Sequence, residues 1–248
     1  MLINTSGGLA EGDTLRQRLA WETDSRGVIT TQAAEKVYRA LAHGCTIETR
    51  IDVARGAEAE WLPQETILFD RARLRRNTCV NLDADSSFLG VEAIVLGRTA
   101  MDERMREGML RDSIRISRGG RLIYADVLDL RSAIDGLMAH RTIGNGGCAM
   151  AVLLHVAAKA AVALDSLREA LAGAASLAAA SCWNGMLAAR LVAPDGVIRS
   201  PKFGAGPATS QRGRPQAGPA EIRTWSRRCR PNRRSVRRPW SGPHTRAR

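Results

Sequence analysis

Three observations predict a mainly β fold for residues 1–199. The dominant hydrophobic period from residue 13 to residue 130 is two, turn residues punctuate it at short intervals, and helix signals are few. Side chains alternate across a strand, so a strand with one buried face writes this pattern into its sequence. Many short strands with little βα alternation argue against a doubly wound sheet.

Taken in order, Leu15, Leu19 and Trp21 mark a first strand, and Asp24-Ser25-Arg26-Gly27 turns the chain into Val28–Gln32. Ala33–Ala42 fits either a short helix or a continuing strand. Cys45, Ile47, Thr49, Ile51 and Val53 alternate with Thr46, Glu48, Arg50 and Asp52, a half-buried strand. Arg55-Gly56 turns it, and Ala57, Ala59 and Trp61 alternate with Glu58 and Glu60, which together read as a hairpin. Leu74–Leu82 is another alternating strand, and Phe88–Leu96, apolar except at Glu92, reads as a strand covered on both faces. Ile114–Ser117 and Leu122–Leu128 flank Arg118-Gly119-Gly120 as a second hairpin. Ala160–Leu171 is the best helix, with Leu164, Leu167, Arg168 and Leu171 at helical spacing and Gly173 beyond its end. Ser181–Val192 returns to strand character before a Pro194-Asp195-Gly196 turn.

Charge divides the chain in two. The whole sequence holds 37 Lys+Arg against 25 Asp+Glu, a net +12. Residues 200–248 account for 13 of those bases and one acid, Glu221, which leaves 24 of each sign in residues 1–199. Seven of the nine prolines also lie in the tail, and neither hydrophobic period survives there. Such a segment buries too little apolar surface to offset chain entropy, so 200–248 is expected to be a disordered Arg/Pro/Gly-rich tail beside a single domain, 1–199. Five scattered cysteines, none spaced as CxxC, point to a reducing compartment and away from a disulfide framework or zinc module. The sequence has no apolar run of membrane-spanning length and no secretory pattern at Met1, so a soluble cytoplasmic protein is expected.

Several segments carry candidate chemistry. Asn4-Thr5-Ser6-Gly7-Gly8-Leu9-Ala10-Glu11-Gly12-Asp13 is glycine-rich, but a phosphate cradle needs a strand before it and a helix after it. Here a strand follows and no lysine is near, so tight turns presenting Asp13 are the better reading. Thr30 to Arg39 places Glu35 and Lys36 as a charge pair on a solvated edge. Pro63 interrupts the Trp61–Asp70 run, as at an edge or bulge, with Glu65 and Asp70 flanking an apolar stretch as either structural or functional carboxylates. Glu92 is the sharpest single residue: a carboxylate in an apolar run is costly unless paired or hydrated. Arg98 or Arg75 would pair with it, and structural pairing and a polar channel both fit. His43 and Cys45 are two apart, as a pair of soft ligands on one strand face, though a buried structural cysteine explains Cys45 as well. No nucleophile–base signature is present, and nothing argues for catalysis.

Together, Leu2–Leu9 with Gly12-Asp13, Thr30–Arg39, Trp61–Ile67, Val91-Glu92-Ala93 and Leu96-Gly97-Arg98 resemble the UreD (UreH) urease accessory family in order and spacing. Leu110-Arg111-Asp112 and Trp183-Asn184-Gly185 extend the likeness over residues 1–199. The resemblance implies stacked, spiralling β-sheets with about two helices, and a non-enzymatic chaperone of urease maturation. It also implies binding of apo-urease together with UreF and the GTPase UreG, a homodimer within the accessory complex, and assisted insertion of nickel, held transiently and with no stable cofactor. Asp13, Glu35, Glu65 and Glu92, the carboxylates inside the matching motifs, are then the candidates for lining a nickel passage. Family chains normally carry opening strands before the segment matching Leu2 and an ordered C-terminal helix. The resemblance therefore also implies a lost N-terminal stretch and a frameshifted tail, and a non-functional copy is one alternative. The other is a nucleic-acid-binding protein using Arg227-Arg228, Arg230, Arg233-Arg234 and Arg237-Arg238, with Trp225 and Trp240 for stacking.

Overall fold

The computed structural model describes residues 1–172 and 176–194, and the backbone of 221–227. The fold is mainly β and winds as a solenoid. A first coil contains β1 (Thr14–Trp21), β2 (Arg26–Thr30) and β3 (Glu35–Val37). A second contains β4 (Cys45–Val53), β5 (Glu58–Leu62) and β6 (Thr66–Leu68). A third contains β7 (Arg73–Leu82) and β8 (Ser87–Leu96), and β9 (Met109–Arg118) begins a fourth. Equivalent strands stack in parallel: Thr14 lies level with Thr46, Thr46 with Arg75, and Arg75 with Arg111. The chain then reverses through β10 (Arg121–Arg131), α1 (Ile134–Ala139), β11 (Ala149–Val156), α2 (Leu164–Ala172), β12 (Leu177–Trp183) and β13 (Met186–Ala193).

Two sheets face each other. One runs β10-β9-β7-β4-β1 and is closed by β14 (Glu221–Arg227); the other runs β12-β13-β11-β8-β5-β2, with β3 and β6 continuing it beside β8. The expected 45–61 hairpin is therefore corrected. β4 and β5 belong to opposite sheets, and the bend between them carries the chain across the sandwich. Period two reports which face is buried but not which strand is the neighbour. Backbone bonds stack the bends of successive coils, as where Asp24 N donates to Arg55 O at 2.9 Å and Asp83 N to Val53 O at 3.0 Å. Ala33–Ala42 resolves as strand β3 with flanking loops.

The hairpin of β9 and β10 forms as expected. Ser181–Val192 is a second hairpin, β12 with β13, turned by Asn184 (φ 50°) and Gly185 (φ 70°), the left-handed pair a tight β-turn requires. The helix expected at 160–171 begins as a 3₁₀ turn at Ala160–Ala163 and continues as α2. It buries Leu167 and Leu171 against the outer face of the second sheet, where Leu89, Val91 and Ala93 also pack. Phe88–Leu96 is thus covered on both faces. α1 and β11 carried too little period to be read from sequence.

The tail departs from expectation at one place. Glu221–Arg227 runs antiparallel to β1 along its whole length, Ala20 opposite Glu221 and Thr14 opposite Arg227. β1 would otherwise end the sheet with a row of unpaired N–H and C=O groups, which accept any strand that reaches them. The rest of the tail, the Asp195-Gly196 turn and Gly173 lie outside the described residues.

Candidate functional site

Between the sheets, a polar layer separates two apolar clusters. On one side pack Leu19, Trp21, Ile51, Val80, Phe88 and Ile116; on the other, Leu9, Ile47, Leu68, Leu74, Leu96 and Leu110. The first sheet contributes to the layer by register. Gln17, Thr49 and Thr78 lie level on β1, β4 and β7, and Arg76 lies level with Asp112 on β7 and β9. All occupy the inward phase of their strands. Trp61, Thr66 and Glu92 face them from β5, β6 and β8.

The centre is a buried charge cluster, with Arg76, Glu92 and Asp112 each 6–8 % exposed. Arg76 grips Asp112 with two bonds, Nε to Oδ1 at 2.9 Å and Nη2 to Oδ2 at 2.7 Å, and donates from Nη1 to Thr66 Oγ1 at 3.1 Å. Glu92 Oε1 accepts from Thr78 Oγ1 at 2.9 Å and from Trp61 Nε1 at 3.4 Å. Its other oxygen, Oε2, stands 3.0 Å from Arg76 Nη2, within ion-pair reach but off the line of a hydrogen bond, and so has no donor. The partner expected for Glu92 was Arg98 or Arg75. Arg98 instead pairs with Glu103, and Arg75 points outward because adjacent residues on a strand face opposite ways. One residue along, Arg76 points in.

Electrostatics single out Glu92. Burial pushes its carboxyl up from the usual range and the Asp112 charge adds to this, against the pull of Arg76 and the donated bonds. Burial also opposes the Arg76 charge, but the two carboxylates outweigh it and hold the guanidinium protonated. With Arg76 satisfied by Asp112, Glu92 is the group whose charge is least compensated. Beside it lies a void of about 10 Å³ lined by Trp61, Thr78, Phe88, Gly90 and Glu92, room for about one water. Gly90 matters here because the Phe88 ring lies 2.6 Å from where a Cβ would stand.

At the first coil the layer meets an open cavity of about 700 Å³, lined by Asn4, Gln17, Thr31 and Glu35 among others. Gln17 Oε1 is buried there without a hydrogen bond. Asn4 Nδ2 donates to both oxygens of Glu35 at 2.9 Å, in place of the expected Glu35–Lys36 charge pair. Burial raises the Glu35 carboxyl, and the bonds from Asn4 and the Lys36 amide offset it in part. Glu35 lies level with Thr66, which accepts from Arg76, so polar groups lead from the cavity to Glu92.

Of the four candidate carboxylates, Glu35 and Glu92 thus belong to one layer. Asp13 is turned to its own loop, accepting from Ala10 N at 2.9 Å, and Glu65 offers its carbonyl to Glu35 N with no side-chain bond among the described residues. Asp70 is structural, its Oδ1 accepting from the Arg106 and Glu107 amides. His43 sits exposed in a loop. Cys45 is buried, its thiol pushed up to about 12 by burial, which makes it a packing group rather than a ligand. Among the described residues, no three His, Cys, Asp or Glu side chains converge to hold a metal, and no helix is long and apolar enough to cross a membrane. The arginine clusters from Arg228 onward and Trp240 lie outside the described residues.

Arg76, Asp112, Thr66, Thr78, Thr49 and Gln17 were not singled out from sequence. A signal existed: in Leu74–Leu82, Arg76 and Thr78 fall in phase with Leu74, Val80 and Leu82. Asp112 likewise falls in phase with Leu110, Ile114 and Ile116. A charge in the apolar phase of a strand is as costly as Glu92 in its apolar run.

Comparison with known proteins gives a consistent result. A family model described as UreD urease accessory protein matches residues 1–200. Urease accessory protein UreD of Azorhizobium caulinodans is 44 % identical over 195 residues, covering 79 % of this chain and 72 % of that protein. Its namesake in Rhizobium leguminosarum bv. viciae is 44 % identical over 200 residues, covering 79 % and 71 %. Urease accessory protein UreD 2 of Methylorubrum populi is 46 % identical over 196 residues, covering 78 % and 66 %. The family match stops at the seam where charge balance and hydrophobic period also stop. Stacked coils, motif order and this match agree, and the chain belongs to the UreD family of urease accessory proteins.

Proposed function

We propose that this chain acts without catalysis in the cytoplasm, binding apo-urease together with UreF and UreG, and that the polar layer is the route by which Ni²⁺ passes through it. The observation that carries this reading is the line of polar groups from the open cavity, at Gln17 and Glu35, to the under-compensated carboxylate of Glu92. A conduit must bind its ion well enough to admit it and weakly enough to release it. Glu92, Thr78 and Thr66 supply oxygen ligands without closing a cage, and Ni²⁺ at Glu92 competes with the Arg76 guanidinium already beside it. That competition keeps the stay short.

Replacing Glu92 by Gln tests the reading. Co-expressed with the urease subunits and the other accessory proteins, the variant is expected to co-purify with apo-urease as the parent does, while the nickel content of urease falls several-fold. Unchanged nickel content with intact assembly would overturn the route. Loss of assembly would make Glu92 a structural residue only.

A further inference from the structure

The two sheets treat their outer faces differently. The second sheet is covered by the 3₁₀ turn and α2 over Leu89, Val91 and Ala93. The first, in which β1, β4, β7 and β9 are parallel, has no such cover among the described residues. Parallel sheets are ordinarily covered on both sides. We infer that the outer face of β1, β4, β7, β9 and β10 is a docking surface for a carboxylate-rich protein face, with Arg75 and Arg115 as its anchors.

The register lays out the charges. Arg50, Cys79 and Arg115 lie level across three strands, as do Arg75 and Arg111 across two. Arg50 is bound to Asp52 at 2.9 Å and Arg111 to Asp129 at 2.7 Å. Arg75 and Arg115 are exposed and have no partner among the described residues. Exposed arginine without a partner is the residue type most apt to become an interface anchor, since its planar fork takes a carboxylate bidentately at little ordering cost. Between the arginines stand short polar side chains, Thr46, Asn77 and Ser113, so the face is flat and can be approached closely. At ~3.3 Å per residue and ~4.8 Å between strands, five strands present on the order of 700 Å². Each partner in a standard interface contributes ~800 Å².

Charge also selects the class of partner. Glu48, Asp52 and Asp129, each ion-paired with an arginine of the same face, break up the continuous positive field that a phosphate backbone needs, whereas a protein surface of mixed sign and acidic excess can match both signs. On the proposed accessory function, on which the choice of probe rests, the partner to test is apo-urease.

The experiment compares the full-length chain with its R75E/R115E and R75K/R115K variants, tail retained in all, by binding to immobilised apo-urease at two salt concentrations. Both positions are exposed, and matching melting temperatures verify folding. R75E/R115E is expected to bind at least ~10-fold more weakly, with R75K/R115K in between, and the deficit to shrink as salt screens the contact. Equal binding by all three overturns the docking face and leaves the accessory function standing. No binding by the parent, alone or with UreF and UreG added, overturns both. Loss of polynucleotide binding in R75E/R115E with apo-urease binding intact makes the face a nucleic-acid surface and also overturns the proposal.

Discussion

The buried triad of Arg76, Glu92 and Asp112 supports a prediction with two separable signatures. Consider Asp112→Asn. The side chain keeps its shape, but Arg76 loses the charge that takes its two best bonds, at 2.9 and 2.7 Å. Breaking a buried pair from one side costs ~3–5 kcal/mol, because the surviving charge is left uncompensated. Here a second carboxylate already stands 3.0 Å from Nη2, so Glu92 takes over part of the role and the lower end, ~3 kcal/mol, is expected. The pH dependence should weaken with it. In the parent, burial first and then Asp112 raise the Glu92 carboxyl. A raised carboxyl contributes stability that is full below its unfolded value and is lost as pH rises through its folded value. In Asp112→Asn the repulsion is gone and Arg76 depends on Glu92, so the Glu92 carboxyl drops toward its unfolded value and less stability is lost as pH rises. Urea unfolding of parent, D112N, E92Q and D112N/E92Q between pH 4 and pH 8 reads both signatures. The double variant leaves Arg76 without an anion, so its loss should exceed the sum of the singles by at least ~1 kcal/mol. Additive losses, or a D112N loss under ~1 kcal/mol, would refute the coupling of these groups.

Two further outcomes follow from the same interior. Gly90→Ala places a methyl where the Phe88 ring lies 2.6 Å away and should cost ~1–3 kcal/mol through overpacking, seen as a lowered melting temperature; pairing it with Phe88→Leu should recover part of the loss. At pH 8 a maleimide should label exposed Cys79 and leave Cys45, buried and with its thiol pushed up to about 12, unmodified until denaturant is added; prompt labelling of Cys45 would contradict its place in the core.

Most strands were legible because each writes one buried and one solvated face into its sequence. Cys45–Val53 was read with the bounds it has, and the 118–120 turn with its hairpin. What a strand pairs with was not legible: the same alternation serves a hairpin and a coil, so β4 and β5 were joined wrongly. Glu92 stood out because its neighbours on both faces are apolar. Arg76 hid beside Arg75 in a strand whose other face is charged, and its role emerges only when phase is followed residue by residue. Glu221–Arg227 could not be foreseen from its own composition, since what pairs it is the open edge of β1.

The level stacking of the coils has a consequence for how the polar layer can change in evolution. Each coil adds one rung to the layer, about 4.8 Å above the last, so the layer is built in fixed increments. Inserting a single residue into a strand would turn its inward set outward and bring the other set in, so that Glu48 or Arg50 would stand where Thr49 did and Val91 or Ala93 where Glu92 did. Lengthening the layer therefore means duplicating a whole coil, while its chemistry can be retuned one rung at a time by exchanging a single inward residue.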